Sequence, residues 1–449
     1  MPRCLLAVAS LLLAASALAQ TTDNADSCDF AVAPAATLLL PYFDVDTNGG
    51  GTTTLFSVTN ASPSPRIAHV TLWTDWAYPV LTFNLVLTGY DVQPVNLFDL
   101  LRDGQLPPPH CGNLPAQIPP DVLTMARSAL TIGTGFPGCN GPVGGNHPGR
   151  AIGYVTVDVV SHCSSMIPAD SAYFVGPAAP LRYDNVLLGD YQQIAPAPAG
   201  ASAAPNFDAQ GSSMVHIRAV PEGGLAGAEG GAAVSTSLPF TFYDRYTPAA
   251  ARTADRRQPL PSTWAARFIQ GGGQFATDFK IWREAVTAGL PGCSATGSVQ
   301  NNSVIAMPSV IRFDEHENST EFGPLAICCY PPNPSLPATS RTATWSFGIF
   351  PPHNSTDIGG WMYMNLSSGA RHLTAGGNGF NCNATLSAQR PGFGGGCATA
   401  PPGTSGSRSL TQNWVTVSMY GATTTSVRLT VDFDAAWLGN GCTPPAVSP

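Results

Sequence analysis

The sequence predicts an all-β protein built from two antiparallel β-sandwich domains of the immunoglobulin-like type, with short helical insertions and long loops. In several short segments apolar residues alternate with polar ones at a period of two, which is typical of strands. The chain has 46 glycines and 42 prolines, whereas only 11% of its residues are charged. Because 44% of its residues are hydrophobic, this composition predicts many turns between short strands rather than disorder.

Five segments carry the strand pattern. Residues 80–88 place Leu81, Phe83, Leu85 and Leu87 on one face, and residues 154–159 place Val155, Val157 and Val159 opposite Tyr154, Thr156 and Asp158. The other three segments are 361–366, 414–420 and 427–433. In each we expect one face on a core and the other in solvent.

Helical signals are few. Asn96 can cap a short helix that Gly104 ends, and Pro119-Pro120-Asp121 can begin a second helix that carries Val122, Met125, Ala126, Ala129 and Leu130 on one side. Segments rich in Pro, Gly and Ala predict loops at 103–119, 133–149, 196–211, 222–234 and 386–407.

The strands form two groups, which suggests domains at 20–246 and 262–449. Between them, residues 247–261 are polar and poor in strand pattern, as expected of a linker. About 430 residues after the leader exceed what one sandwich core usually contains. A single elaborated sandwich with a long insertion remains an alternative.

Residues 1–19 have the pattern of a signal peptide. Arg3 precedes the apolar run Leu5 to Leu13, and Ala17-Leu18-Ala19 ends the segment in small residues before Gln20. Downstream we find no apolar run long enough for a membrane span. The sequence therefore predicts a secreted or periplasmic protein.

Ten cysteines remain once Cys4 is removed with the leader. An even number in an exported chain predicts up to five disulfides, and no Cys or His spacing is typical of a zinc site. The ten are Cys28, Cys111, Cys139, Cys163, Cys293, Cys328, Cys329, Cys382, Cys397 and Cys442.

One segment resembles half of a calcium loop. Asp44, Asp46 and Asn48, followed by Gly49, match the first positions of the pattern D-x-[DN]-x-[DN]-G. The twelfth position is Leu55, where such a loop needs a carboxylate, and a glycine-rich hairpin accounts for the same residues. Calcium is the one cofactor that the sequence suggests.

Two further clusters are candidates for binding. Trp73, Asp75 and Trp76 could stack on a sugar and hydrogen-bond its hydroxyl groups, and Trp361 and Trp414 lie on the less apolar faces of their strands. Tryptophans in a two-layer fold are more often buried, so a structural role is the alternative. Asp314 to Asn318 hold three carboxylates and a histidine, and we interpret this cluster as a solvated turn.

No complete catalytic motif is present. The chain lacks a G-x-S-x-G elbow, so no catalytic residue is predicted. We therefore expect a structural or binding protein of the cell exterior or envelope. The alternative is an extracellular hydrolase of a polymer (glycan, ester or peptide), with a non-consensus acid/base pair or a triad on the loops 103–149 or 386–407.

The net charge of −8 argues against nucleic acid and anionic membranes as partners. An extracellular glycan or an envelope protein is the expected partner, and the sequence does not define an oligomeric state.

The segments Leu38-Leu39-Leu40-Pro41-Tyr42-Phe43-Asp44-Val45-Asp46, Thr54 to Asn60 and Leu87 to Gln93 resemble a group of uncharacterised secreted bacterial β-rich proteins. The C-terminal segment Phe433 to Cys442 is similar to the same group. The resemblance implies a bacterial exported protein and supplies no activity or functional residue.

Overall fold

The structure of the chain is a computed structural model. It describes residues 30, 32–49, 51–75, 77–109, 111, 116–134, 136–137, 142–168, 170–196, 207–219, 242–243, 255–261, 263–269, 275–283, 309–322, 342–346, 359–365, 412–421, 430–434 and 436–437.

The first half of the chain contains nine strands and three short helices within these residues. In chain order they are β1 (Thr37–Asp46), β2 (Thr53–Asn60), β3 (Arg66–Thr74), β4 (Pro79–Leu87), β5 (Val92–Asn96), α1 (Leu97–Asp103), α2 (Pro120–Thr131), β6 (Arg150–Val160), α3 (Ser171–Phe174), β7 (Leu187–Pro196), β8 (Phe207–Ser213) and β9 (Val215–Ile217).

The described part of the second half contains strands alone. They are β10 (Thr263–Ile269), β11 (Phe275–Arg283), β12 (Ser309–Asp314), β13 (Ser319–Phe322), β14 (Thr342–Ser346), β15 (Gly359–Asn365), β16 (Asn413–Gly421), β17 (Thr430–Asp434) and β18 (Ala436–Trp437).

These strands form four sheets, and each pairing between them is antiparallel. The first half gives the orders β4-β3-β6-β1-β9 and β5-β2-β7-β8, and the second half gives β13-β12-β15-β10-β18 and β14-β11-β16-β17. The protein is therefore mostly β, with several antiparallel sheets, as the sequence predicts.

The predicted strands and helices are present. Residues 80–88, 154–159, 361–366, 414–420 and 427–433 overlap β4, β6, β15, β16 and β17. Positions 366 and 427–429 lie outside the described residues, as do the predicted loops 222–234 and 386–407. The Asn96 side chain accepts a hydrogen bond from Phe98 N at 3.0 Å and caps α1, which Gly104 ends with a φ of 69°. One predicted loop is too long, because β8 begins at Phe207, inside the segment 196–211.

One core lies on the α2 side of the first sheet. The predicted apolar face of β4, from Leu81 to Leu87, is buried there, and α2 packs against β3, β4 and β6. Phe56 of β2 and Tyr191 of β7 belong to the same cluster of buried side chains. The two N-terminal sheets therefore share this core.

A second, aromatic core covers the opposite face of the first sheet. It contains Trp73, Tyr154, Tyr173 and Tyr243 together with Trp282 of β11. As a result β6 is buried on both faces, and Thr156 and Asp158, expected in solvent, are at most 1% exposed. The period-two pattern was present, but its polar face does not contact solvent.

A buried ionic cluster lies beside this core. Asp158 of β6 accepts hydrogen bonds from Tyr173 Oη and Tyr243 Oη, both at 2.9 Å, and from Thr37 Oγ1. The guanidinium of Arg257 pairs with Asp158 at 3.3 Å and with Asp255 at 2.8 Å.

Burial by itself would lower the pKa of Arg257, but the carboxylates of Asp158 and Asp255 raise the pKa above its ordinary value. Residues 255–261, the described part of the predicted linker, are buried. The division of the chain into domains stays a prediction.

Candidate functional site

A row of three side chains, two exposed and one half-buried, crosses one face of the sheet that contains β10, β15 and β12. Strand register places Arg267 of β10 on one side of Trp361 of β15 and Phe313 of β12 on the other. Trp361 is 39% exposed, and its ring stacks on Phe313 with centroids 3.9 Å apart and planes inclined by 10°. Arg267, Trp361 and Phe313 are called the aromatic row below.

The alternation along β15 explains why this row faces outwards. Met362 and Met364 are buried on the other face of the sheet, so Trp361 and Tyr363 must lie on the outer face. Tyr363 is half-buried there, between Ala265 and Ile311 in register. The sequence pattern had placed Trp361 on the less apolar face of its strand, and the structure agrees.

The row can offer two kinds of contact. An indole presents an apolar face with a specific geometry, and a guanidinium supplies up to five N–H donors that suit hydroxyl and carboxylate oxygens. Trp and Arg are also the residues that most often dominate binding energy at interfaces.

Trp73 lies in the interior of the fold rather than on its surface. It is fully buried in the aromatic core, its indole N–H donates to Thr156 Oγ1 at 2.8 Å, and it stacks on Tyr154. This is the structural role that the sequence left open as the alternative to stacking on a sugar, and it arises because the second core covers this face of the sheet. Trp76 lies outside the described residues, so binding by this set stays a prediction.

Asp75 holds a glycine-rich loop against the β3–β4 turn. Its Oδ1 accepts a hydrogen bond from Gly145 N at 2.8 Å, and its Oδ2 lies 2.9 Å from His147 Nε2. The Asp75 side chain is 1% exposed and that of His147 is 19% exposed. Asp75, Gly145 and His147 are called the Asp75 clasp.

Two neighbouring contacts fix the same loop. Thr74 Oγ1 donates to Val143 O at 2.6 Å. Gly133 has a φ of +70°, and a Cβ added there would lie 2.0 Å from Gly144 O. Because only glycine allows this approach, the predicted loop 133–149 has a defined conformation over residues 142–149.

A carboxylate that orients an imidazole is one component of hydrolytic sites. Among the described residues, however, no serine, threonine or cysteine side chain hydrogen-bonds to His147. The sequence analysis did not single out His147. Its position in a glycine-rich loop, shortly before strand β6, is the signal that could have identified it.

The residues of the calcium-like segment have protein partners. Arg150 Nε donates to Asp44 Oδ1 at 3.0 Å, Nη2 pairs with Oδ2, and Tyr42 Oη donates to Oδ2 at 3.2 Å. Asp46 Oδ1 accepts from Asn48 N at 2.8 Å within the β1–β2 turn. The hydrogen bond from Arg150 to Asp44 raises the pKa of Arg150.

In the described part of the chain no group of three or more His, Cys, Asp or Glu side chains is placed to hold a metal ion. Calcium binding at Asp44, Asp46 and Asn48 stays a prediction.

The acidic cluster forms the β12–β13 turn. Asp314 accepts hydrogen bonds from the backbone of His316 and from the backbone and side chain of Asn318. The side-chain bond from Asn318 is the largest cause of the lowered pKa of Asp314. Residues 315–319 are exposed, which confirms a solvated turn.

Cys111 and Cys163 form a disulfide with a Cα–Cα separation of 5.9 Å. The other eight cysteines of the predicted set lie outside the described residues. The bridge joins the segment after α1 to the segment after β6.

No protein-family model matches the chain, and no curated protein or solved structure does either. Among the described residues no helix has the length and apolar character needed to cross a membrane.

Proposed function

We propose that this chain is an exported structural or binding protein and that the aromatic row contacts an extracellular glycan. The observation that carries the proposal is the exposure of Trp361. Of the tryptophans whose side chains are described, Trp73, Trp264 and Trp282 are fully buried and Trp414 is half-buried. Trp361 is 39% exposed, and an exposed indole beside other aromatic rings is typical of a contact surface.

The chemistry of the row suits a saccharide. The C–H face of a pyranose ring is apolar and can lie on an indole, while hydroxyl or carboxylate groups at its edge accept from the guanidinium of Arg267. Stacking on Phe313 fixes one side of the Trp361 ring, which reduces the side-chain entropy lost on binding.

The experiment is a glycan array with the purified mature protein, followed by calorimetry on any glycan that binds. We expect Trp361→Ala to abolish binding and Arg267→Ala to weaken it. Tyr90→Ala is the matched control, because Tyr90 is 70% exposed but lies in the first half of the chain. Binding that survives Trp361→Ala, or that Tyr90→Ala removes equally, would contradict the proposal.

Export is supported by the leader pattern of residues 1–19 and by the Cys111–Cys163 bridge, since disulfides persist in oxidising compartments. N-terminal sequencing of protein recovered from the cell exterior or periplasm should find Gln20 first. A chain that keeps Met1 and remains in the cytoplasm would contradict export.

We propose that the two N-terminal sheets form one β-sandwich and the two C-terminal sheets a second. The buried cluster shared by β1, β2 and β7 supports the first, and contacts of β10 with β11 and β16 support the second. An experimentally determined structure tests this arrangement through the packing angle of each sheet pair.

A second function has one observation in its favour. The Asp75 clasp places the carboxylate of Asp75 beside the imidazole of His147, which is on the loop 103–149, where a hydrolase would hold its base. If the chain is a hydrolase, a screen with ester, peptide and glycoside substrates should find turnover that His147→Ala abolishes. Turnover unaffected by that change would exclude the clasp as the base.

A further inference from the structure

A small cleft lies beside the Cys111–Cys163 bridge, on the opposite half of the chain from the aromatic row. Its volume is about 120 Å³. The lining residues are Leu81, Thr82, Phe83, Asn84, Leu106, Cys111, Gln117, Ile118, Pro119, Val122, Ser164 and Ser165.

The walls of the cleft come from separate elements that are tied together. β4 is the edge strand of its sheet, and Val122 belongs to the first turn of α2. The disulfide joins Cys111 in one wall to Cys163, which directly precedes Ser164 in another. The cleft is therefore part of a cross-linked region of the fold.

Hydrogen bonds fix the polar side of the cleft. Asn84 Nδ2 donates to Ser164 O at 2.9 Å, and Asn84 Oδ1 accepts from Ser164 N at 3.3 Å. His69 Nδ1 lies 3.0 Å from the same Oδ1, and burial lowers the pKa of this histidine. Asn84 is thus held in one orientation from behind the cleft.

The lining defines the chemistry of an occupant. None of the twelve lining side chains carries a charge, and most of the surface is apolar. A charged ligand would lose hydration without gaining a partner, whereas a neutral apolar ring would bury its surface. Thr82, Gln117 and the two serines can hydrogen-bond one hydroxyl or amide group.

The volume limits the size of the occupant. An engineered apolar cavity of about 150 Å³ holds one benzene molecule, and this cleft, at about 120 Å³, is slightly smaller but open on one side, so its occupant has at most a single ring. We propose that this cleft is a binding site for a small neutral molecule with one apolar ring and one hydrogen-bonding group. This site is independent of the glycan contact proposed for the aromatic row.

The test compares benzyl alcohol with benzoate, which has a similar size but is negatively charged. Saturation-transfer NMR on the mature protein should detect benzyl alcohol and give little or no signal for benzoate. Equal signals from both, or none from benzyl alcohol, would overturn the proposal.

Two variants test whether the NMR signal of benzyl alcohol comes from the cleft. Val122→Trp fills the cleft and should abolish binding, whereas Thr124→Trp adds the same ring to an exposed position of α2 and should leave binding unchanged. Benzyl alcohol that still binds to a folded Val122→Trp protein lies elsewhere, and the proposal is then wrong.

Val122→Ala provides a second measurement if the larger residue prevents folding. It enlarges the cleft, so the affinity for 4-isopropylbenzyl alcohol should rise relative to that for benzyl alcohol. An unchanged ratio of the two dissociation constants would show that Val122 does not line the binding site.

Discussion

The guanidinium Nη2 of Arg257 lies 3.3 Å from Asp158 Oδ1, and neither side chain is more than 1% exposed. Burying two charges costs several kcal/mol of hydration for each ion. Asp255, Tyr173 and Tyr243 offset this cost by supplying a second carboxylate and two hydroxyl donors. The pair therefore fixes the segment 255–261 to strand β6 of the first sheet.

Arg257→Met should lower the free energy of unfolding by about 3 to 5 kcal/mol, because it leaves Asp158 buried without its cation. Urea denaturation followed by tryptophan fluorescence measures this. Arg102→Met is the control, since Arg102 pairs with Asp103 on the surface, where solvent screens the two charges and the pair adds little to stability. Similar effects of both changes would refute the structural importance of the Arg257 pair.

His216 should make the protein less stable in mild acid. Its Nε2 accepts a hydrogen bond from Gly189 N at 3.2 Å, and burial lowers its pKa to about 4. The pKa in the unfolded chain is about 6.5, so between these values only the unfolded chain binds the proton. The stability that neutral His216 confers is complete above pH 6.5 and is lost as the pH falls towards 4.

The expected loss between pH 7 and pH 4 is about 3 kcal/mol. His216→Gln keeps an acceptor for Gly189 N and should reduce the loss. Buried His69 acts in the same direction, so part of the pH dependence should remain. His162→Gln, at an exposed position, is the control. The urea midpoint is measured at pH 7 and pH 4 in the parent protein, His216→Gln and His162→Gln. If it falls by the same amount in all three, His216 does not cause the pH dependence.

Local features of the fold could be predicted because they depend on neighbouring residues. The capped helix from Asn96 to Gly104 follows from side-chain and backbone preferences within ten positions. The apolar face of β4 follows from its alternation in the same way. By contrast, Leu123 rather than Val122 is buried on α2, since the direction of the core depends on distant strands.

The burial of Asp158 could not be predicted from its own strand. Its neighbours alternate, which favours solvent for the polar face. The partners that keep it buried are Thr37, Tyr243 and Arg257, the last of them 99 positions away. Arg257 itself lies in a polar segment whose composition is that of a linker, and only the fold shows that its charge is paired.

The candidate sites also differ in whether they depend on neighbouring residues or on distant ones. The position of Trp361 on the outer face followed from the period of its strand, but Trp414, assigned in the same way, packs against the aromatic core. The contact of Asp75 with His147 joins residues 72 positions apart. Glycine and proline content indicates a loop but does not say where that loop packs. The Asp75 clasp and the cleft beside Cys111 therefore follow from the three-dimensional fold and could not be predicted from the sequence.

Removing the disulfide should destabilise the protein without changing its fold. Cys111 and Cys163 are separated by 52 positions, and cross-linking a loop of that length restricts the unfolded chain by about 4 kcal/mol. Cys111→Ser combined with Cys163→Ser should lower the free energy of unfolding by roughly 2 to 4 kcal/mol. A peptide map of the parent protein that lacks the linked Cys111 and Cys163 peptides would contradict the bridge.

The Asp75 clasp should control the exposure of the loop 142–149. Asp75→Ala removes the acceptor of the Gly145 amide and the partner of His147 at once. The buried N–H of Gly145 is then left without a hydrogen bond, which destabilises the loop by about 1 to 3 kcal/mol. Hydrogen exchange at Gly145 should then accelerate, while exchange in the centre of β3 stays slow. His147→Ala keeps the Gly145 hydrogen bond and should accelerate exchange less, and Asp121→Ala, on the exposed side of α2, should have no effect. If exchange at Gly145 is as slow in Asp75→Ala as in the parent protein, the loop is held by Thr74 and Gly133 instead, and the carboxylate of Asp75 is free to serve another role.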